Sequence, residues 1–148
     1  MTDLTEGVPS TRATFKTAKV YLEATSNVLI VESLRSYILN EEFKEVFDKV
    51  NELIVTHRVT KFVFDKRKLK VFHQPSMEWY FTDWKDTAYE LGLRTIRKVL
   101  PKDIVFRQSV KIGITKIKNE YPEAKFNLMD IQYSNTLEDA LKELSQLS

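Results

Sequence analysis

Apolar and polar positions first alternate along this chain and then settle into helical stripes. Between residues 15 and 24 the even positions Ala18, Val20, Leu22 and Ala24 are apolar, while Lys19 and Glu23 point the other way. That is the period of a half-buried strand. Residues 28–34 read as a second strand, and Ser26-Asn27 between the two suits a tight turn because Asn tolerates positive φ. The pair predicts an antiparallel hairpin. Asn40, with Glu41 and Glu42 behind it, then opens a helix as a cap followed by carboxylates at the positive end of the dipole. Phe43, Val46, Phe47, Val50, Leu53 and Ile54 recur on one face of that helix, and His57-Arg58 closes it.

A short apolar strand, Phe62-Val63-Phe64, ends on Asp65. A basic loop follows, and a helix is expected over residues 76–91 with Met77, Tyr80, Phe81, Trp84, Ala88 and Leu91 on one face. Gly92 fits the left-handed position past its end. Trp79 lies off that stripe, on the side of Asp83, Asp86 and Glu90. Residues 95–100 form the next strand, stopped by Pro101. Asp103 caps a helix over 104–119 with Phe106, Val110, Ile114 and Ile117 as its core face. Gly113 on that face would let the helix approach the sheet closely. Val105 and Ile112 lie opposite, as scattered surface side chains or as a contact between two copies in a homodimer. A last strand is expected over 126–131. Thr136-Leu-Glu-Asp139 then resembles a capping box for a short final helix.

The order is β-β-α-β-α-β-α-β-α. It predicts an α/β fold with a mostly parallel central sheet, an N-terminal antiparallel hairpin and about four helices. Residues 1–12 are polar and read as a flexible tail before a single domain over 13–148.

Charge changes this picture only locally. The chain carries a net +2, yet the stretch from Lys66 to Lys118 holds thirteen Lys/Arg against five Asp/Glu, so the middle is basic and the remainder acidic. Solvated helix faces explain such a distribution, and so does an anionic partner. There is no Cys, which removes disulfides and thiol chemistry. No apolar run approaches a membrane span of about 20 residues. The opening residues lack the basic start and apolar core of a signal peptide, so a cytoplasmic protein is expected.

Several chemistries are excluded. Gly occurs only at 7, 92 and 113, so neither a phosphate-binding P-loop nor a dinucleotide fingerprint can be built. No Gly-x-Ser-x-Gly elbow is present. His57 and His73 are the only histidines, and no carboxylates group at ligand spacing, so no metal and no cofactor are expected.

The candidate site is the stretch from Asp65 to Trp79. Arg67, two residues past Asp65, offers planar donors to an anion that Asp65 could orient; the other reading is that Asp65 only fixes the turn through backbone N–H groups. Lys68, with Lys66 and Lys70, could line a phosphate, but the loop's lack of stacking aromatics argues against nucleic acid. Trp79 could meet a ligand or partner, or pack back onto loop residues 69–72. Asp65 as a catalytic base would need a raised pKa, which its cationic neighbours oppose.

The element order together with Val63-Phe64-Asp65-Lys66-Arg67-Lys68-Leu69, then Trp79, Trp84 and Glu90-Leu91-Gly92-Leu93, resembles STAS-like domains over residues 14–147. The resemblance is to a bacterial group within the fold class of anti-sigma-factor antagonists, in which a strand ends in Asp-x-Arg-Lys before a helix with two tryptophans. In the antagonists that loop reads Asp-x-Ser, and the serine is phosphorylated. Here Arg67 stands at that place, so the phosphoswitch is not implied, and Ser76 lies too far along to replace it. A looser fold-level similarity to CRAL-TRIO lipid-binding domains points to apolar ligands. The expectation is a non-enzymatic binding or regulatory module acting through Asp65, Arg67, Lys68 and Trp79 on a protein partner. The alternative is a small-ligand protein that binds a lipid or an organic anion.

Overall fold

The computed structural model describes residues 8–71 and 73–147. Among these, six strands form one sheet in chain order: β1 (Ser10–Thr14), β2 (Ala18–Glu23), β3 (Val28–Ser33), β4 (Lys61–Asp65), β5 (Thr95–Val99) and β6 (Asp130–Ser134). β1, β2 and β3 pair antiparallel, and β3 to β6 pair parallel. Helical crossovers make each parallel step, as parallel pairing requires. Helix α1 (Asn40–His57) joins β3 to β4. Between β4 and β5, α2 (Gln74–Trp79), a π turn (Tyr80–Trp84) and α3 (Lys85–Glu90) run on as one continuous helix. Helix α4 (Ile104–Glu120) and a 3₁₀ turn (Lys125–Leu128) lead to β6, and α5 (Leu137–Ser145) follows. The α/β class, the mostly parallel sheet, the early hairpin and the four helical segments agree with the sequence pattern.

The strand period sends alternate side chains to opposite faces. Leu29, Val31, Phe62, Phe64, Ile96 and Leu100 face α1, the α2–α3 helix and α4. Val28, Ile30, Val63 and Val99 face α5, where Ala140 and Leu144 cover them. Trp84 is wholly inside the larger layer; its ring stacks on Tyr80 at 5.1 Å, and its Nε1–H donates to the Phe47 carbonyl at 3.2 Å. Among the described residues no helix is long and apolar enough to cross a membrane.

Several local expectations are corrected. Residues 10–12, placed by their polar composition in the tail, belong to an exposed edge strand on β2, Ser10–Thr14; residues 1–7 of that tail lie outside the described residues. The last strand starts at Asp130 rather than 126, because Phe126 is drawn into the helix-side core by a 3₁₀ turn. Asn40 is not the cap of α1. Glu42 instead reaches back: its Oε1 accepts from the N–H and hydroxyl of Thr17, and its Oε2 accepts from the N–H of Lys16. These bonds hold the Glu42 carboxyl below its ordinary pKa, against the opposing effect of burial. Gly113 serves helix-on-helix contact, since an added Cβ would sit 3.1 Å from Met77 Sδ of α2. Leu91 falls past the end of α3 and is exposed. Asp103 and Thr136 cap α4 and α5 as expected, and Asn27 and Gly92 take positive φ.

Candidate functional site

Asp65 ends β4 with its side chain on the α5 face, level with Glu32 of β3. Its carboxylate is fully engaged. Oδ1 accepts from the N–H of Arg67 at 3.1 Å and from Arg67 Nε at 3.1 Å, and Oδ2 accepts from a terminal nitrogen of Arg67 at 2.9 Å. This two-pronged fork is the strong form of the ion pair. The Asp65 side chain is 4% exposed and that of Arg67 is 39%, so the buried member has its partner at hand. The Asp65 carboxylate raises the Arg67 pKa. Lys68 is exposed beside them.

Trp79 is elsewhere. It lies in α2 on the other side of the sheet, edge-on to Phe43 at 6.0 Å and with Lys44 Nζ 5.6 Å from its ring. Phe72, the far end of the loop it was expected to meet, lies outside the described residues. Trp79 borders an open cleft whose wall carries Glu78, Asp83, Asp86, Glu120 and Glu123. Asp65 and Arg67 therefore come together, with Lys68 next to them, and Trp79 does not join them.

Two further regions, each with its hollow space, bear on function. One, about 380 Å³, lies at the carboxyl end of β3 and β4, between Tyr37–Phe43 on one side and Leu69, Val71, His73 and Ser76 on the other. His73 Nδ1 lies 2.9 Å from the Ser76 hydroxyl. This wall is largely apolar.

The second region is a set of lysines buried on the helix face. A π turn holds one more residue than an α turn, and such turns recur at functional sites. Here it directly precedes Lys85, which is buried along with Tyr80, Phe81, Trp84 and Ala88. Lys85 Nζ sits 3.4 Å from the Phe81 ring centre and 4.6 Å from that of Tyr80. Lys98, between Ile96 and Leu100 on β5, brings its Nζ to 4.4 Å from the same Phe81 ring. Lys66, just past Asp65, points to the opposite face from it, with Nζ 4.7 Å from the Phe64 ring. All three lysines are buried. Lys85 Nζ and Tyr80 Oη make no hydrogen bond among the described residues.

Desolvation disfavours the charged form of a buried amine. It lowers the Lys66 pKa to about 7. It takes Lys85 and Lys98 well below the ordinary lysine range, and the like charges of their neighbours, including Lys118, add to the fall. Burial likewise pushes the Tyr80 phenol up.

The lysines back onto a groove between α4 and β6. Its inner hollow, about 220 Å³, is lined by Lys98, Lys118, Phe81, Phe126 and Tyr133 among others. Its outer hollow, about 530 Å³, adds Arg107, Lys111, Thr115, Ser134 and Asn135, and shares Ile114, Lys118 and Tyr133 with the inner one. Neither lining contains a carboxylate. Arg107 is held by its Nε donating to the Pro101 carbonyl at 2.6 Å. Among the described residues no group of three or more His, Cys, Asp or Glu could hold a metal ion.

No family model, curated protein or solved structure matches the chain.

The groove is absent from the sequence-derived site, although a signal for it existed. Lys85 lies four residues after Phe81 and three before Ala88, on the apolar stripe. Lys98 occupies the inward register between Ile96 and Leu100. A lysine that interrupts an apolar period at two neighbouring elements marks an interior charge.

Proposed function

We propose that this protein is a non-enzymatic binding module, STAS-like in its fold, whose ligand is a small organic anion held between α4 and β6. One observation carries the reading: the groove gathers Lys98, Arg107, Lys111 and Lys118 with no carboxylate in its lining, in front of buried lysines. Buried amines of one sign favour a counter-charge that arrives with a ligand. An aromatic and apolar inner wall with few convergent polar groups is the usual make-up of a small-ligand site. The test is titration with oxalate and succinate, followed by amide NMR. Shifts should concentrate on the stretches around Lys98, Lys111, Lys118 and Tyr133 and shrink as salt is added. Silence there up to millimolar anion would overturn the reading.

A second reading, binding of a lipid tail, is favoured by the apolar hollow beside Ile38, Phe43, Leu69 and Val71. Octanoate separates the two, since shifts confined to that hollow would support the lipid reading alone. A regulatory surface running from Asp65 to Trp79 has less support. The Asp65 oxygens are occupied by Arg67, and Trp79 lies across the sheet. Exposed Arg67 and Lys68 remain as the part of it that a protein partner could meet.

A further inference from the structure

Of the three lysines buried on the helix face, Lys98 lines the inner hollow, while Lys66 and Lys85 are wholly buried. Its residue surface is 2% exposed, and what is exposed faces the inner end of the groove. The groups around its Nζ come from every neighbouring element. They are Lys66 past β4, Lys85 of α3, Lys118 of α4, Tyr133 of β6 and the Phe81 ring of the π turn. None is acidic at neutral pH, and no carboxylate pairs with Lys98 among the described residues. A desolvated lysine beside other cations is the setting in which an amine becomes a nucleophile toward carbonyl carbon.

We propose that Lys98 binds an oxo acid covalently, as an imine, with the ligand's carboxylate turned outward to Lys118 and Arg107. The reaction balances without an oxidant or reductant. The Nζ lone pair forms a bond to the carbonyl carbon, and the C=O π pair moves to oxygen. The two amine protons pass to that oxygen in turn, the carbinolamine loses water, and a C=N bond remains. The amine and carbonyl compound give imine and water. The rings of Phe81 and Phe126 line the inner hollow beside Lys98, and such apolar surroundings favour the dehydrated product. Lys118, exposed at the mouth, stands where it can pair with the carboxylate.

The inference rests on the groove binding anions, and the experiment keeps the two apart. The unaltered protein is incubated at pH 7 with glyoxylate and cyanoborohydride, and the N-carboxymethyl lysines are mapped by mass spectrometry. Oxalate, which has no carbonyl able to form an imine, is added as a competitor in a parallel sample. The expected result is labelling of Lys98 at least about tenfold faster than that of exposed lysines, the gain in neutral amine for each unit of lowered pKa. Oxalate should suppress it. The Lys98→Met variant should lose the adduct, but mapping on the unaltered chain decides the matter whether or not that variant folds. Labelling spread over surface lysines with Lys98 spared, while oxalate still shifts the groove resonances, would overturn the imine and leave the anion site standing. No labelling of Lys98 and no response to oxalate would overturn both.

Discussion

The two faces of the sheet treat buried charge in opposite ways. On the α5 side every buried ion has its partner. Asp65 is gripped by Arg67, and Arg97 donates to Glu143 at 3.0 Å and lies 3.4 Å from Asp130. Lys61 Nζ donates to the Leu147 carbonyl at 2.8 Å. On the side of α1 and α4, Lys66, Lys85 and Lys98 sit among aromatic rings, and no carboxylate pairs with Lys85 or Lys98 among the described residues. Ring faces attract ammonium, but by about 2 kcal/mol when desolvated, which does not replace water around Lys85 and Lys98. The first face is explained by folding alone. The second costs stability, a cost that the proposed anionic ligand would offset, so the contrast separates architecture from function better than the net charge does.

The largest expected effect is on pH dependence. For Lys66 the folded pKa is about 7 and the unfolded one about 10.4. Below pH 7 both states hold the proton and the full burial penalty is present. Between the two values the native amine has lost its proton while the unfolded one keeps it. The unfolded state then binds more protons, so stability rises with pH. Lys85 and Lys98, shifted in the same direction, add to the slope. Urea unfolding should therefore show stability climbing by several kcal/mol from pH 7 to 10, at about 1.4 kcal/mol per pKa unit. The Tyr21 phenol, raised to about 12, keeps its proton in the folded chain, and the ordinary phenol of the unfolded chain ionises only near pH 10, where it opposes the rise. A flat or falling curve would mean that the helix face neutralises its lysines by contacts of its own, and the contrast would be lost.

Next in size is a difference of sign between two substitutions. Lys85→Met should stabilise the free protein by about 1–4 kcal/mol, since an apolar chain of similar length replaces a buried amine. It should also flatten the rise with pH. Arg97→Met, on the other face, should destabilise by about 1–2 kcal/mol through lost charge-assisted bonds; Asp130 and Glu143 are half-exposed and rehydrate, which limits the loss. Urea midpoints of both variants at pH 7 measure this. If both move the same way, pairing is not what distinguishes the faces.

Much of the fold was legible, because apolar period is a strong signal where a surface is buried. The stripe of α1 and the strand Phe62–Phe64 followed from it directly. β1 and β6 were missed or displaced for a shared reason: both are sheet edges, with mostly exposed side chains and no alternation to read. Asp65 and Arg67 were paired correctly in space because two residues across a turn cannot go far. Trp79 was not, since helix phase cannot tell which side of a sheet the helix packs on. Lys85 and Lys98 were not singled out, because composition assigns charge to the surface. The inward register of Lys98 and the place of Lys85 on the apolar stripe were the marks that would have found them.

Arg67→Ala tests the paired face from its own side. It removes both prongs of the fork and leaves a buried carboxylate with the backbone N–H of residue 67. Partial exposure of the arginine lets water enter behind it, so the expected loss is about 2 kcal/mol, below the cost of orphaning a fully buried ion. Asp65→Asn should lose less, because its amide oxygen still accepts from that N–H. The ratio of the two, read from urea midpoints, reports how much of the fork is charge. Equal losses would indicate that the turn geometry, rather than the ion pair, holds this end of β4.

The smallest stability effect belongs to Lys118→Ala, and it is the most discriminating for function. Lys118 is exposed in the last turn of α4, where a cation gains a few tenths of a kcal/mol from the helix dipole. Removing it also relieves repulsion on Lys85 and Lys98, which acts in the opposite sense. The two nearly cancel, and the midpoint should move by less than about 0.5 kcal/mol. Anion binding has no such cancellation. Loss of the cation at the mouth should weaken oxalate by about three- to tenfold at low salt, and by less as ionic strength rises. The same substitution on a face whose charges serve only the fold would alter stability and binding together or neither. Unchanged oxalate affinity in a normally folded Lys118→Ala protein would therefore remove the groove as the place where the buried lysines find their counter-charge.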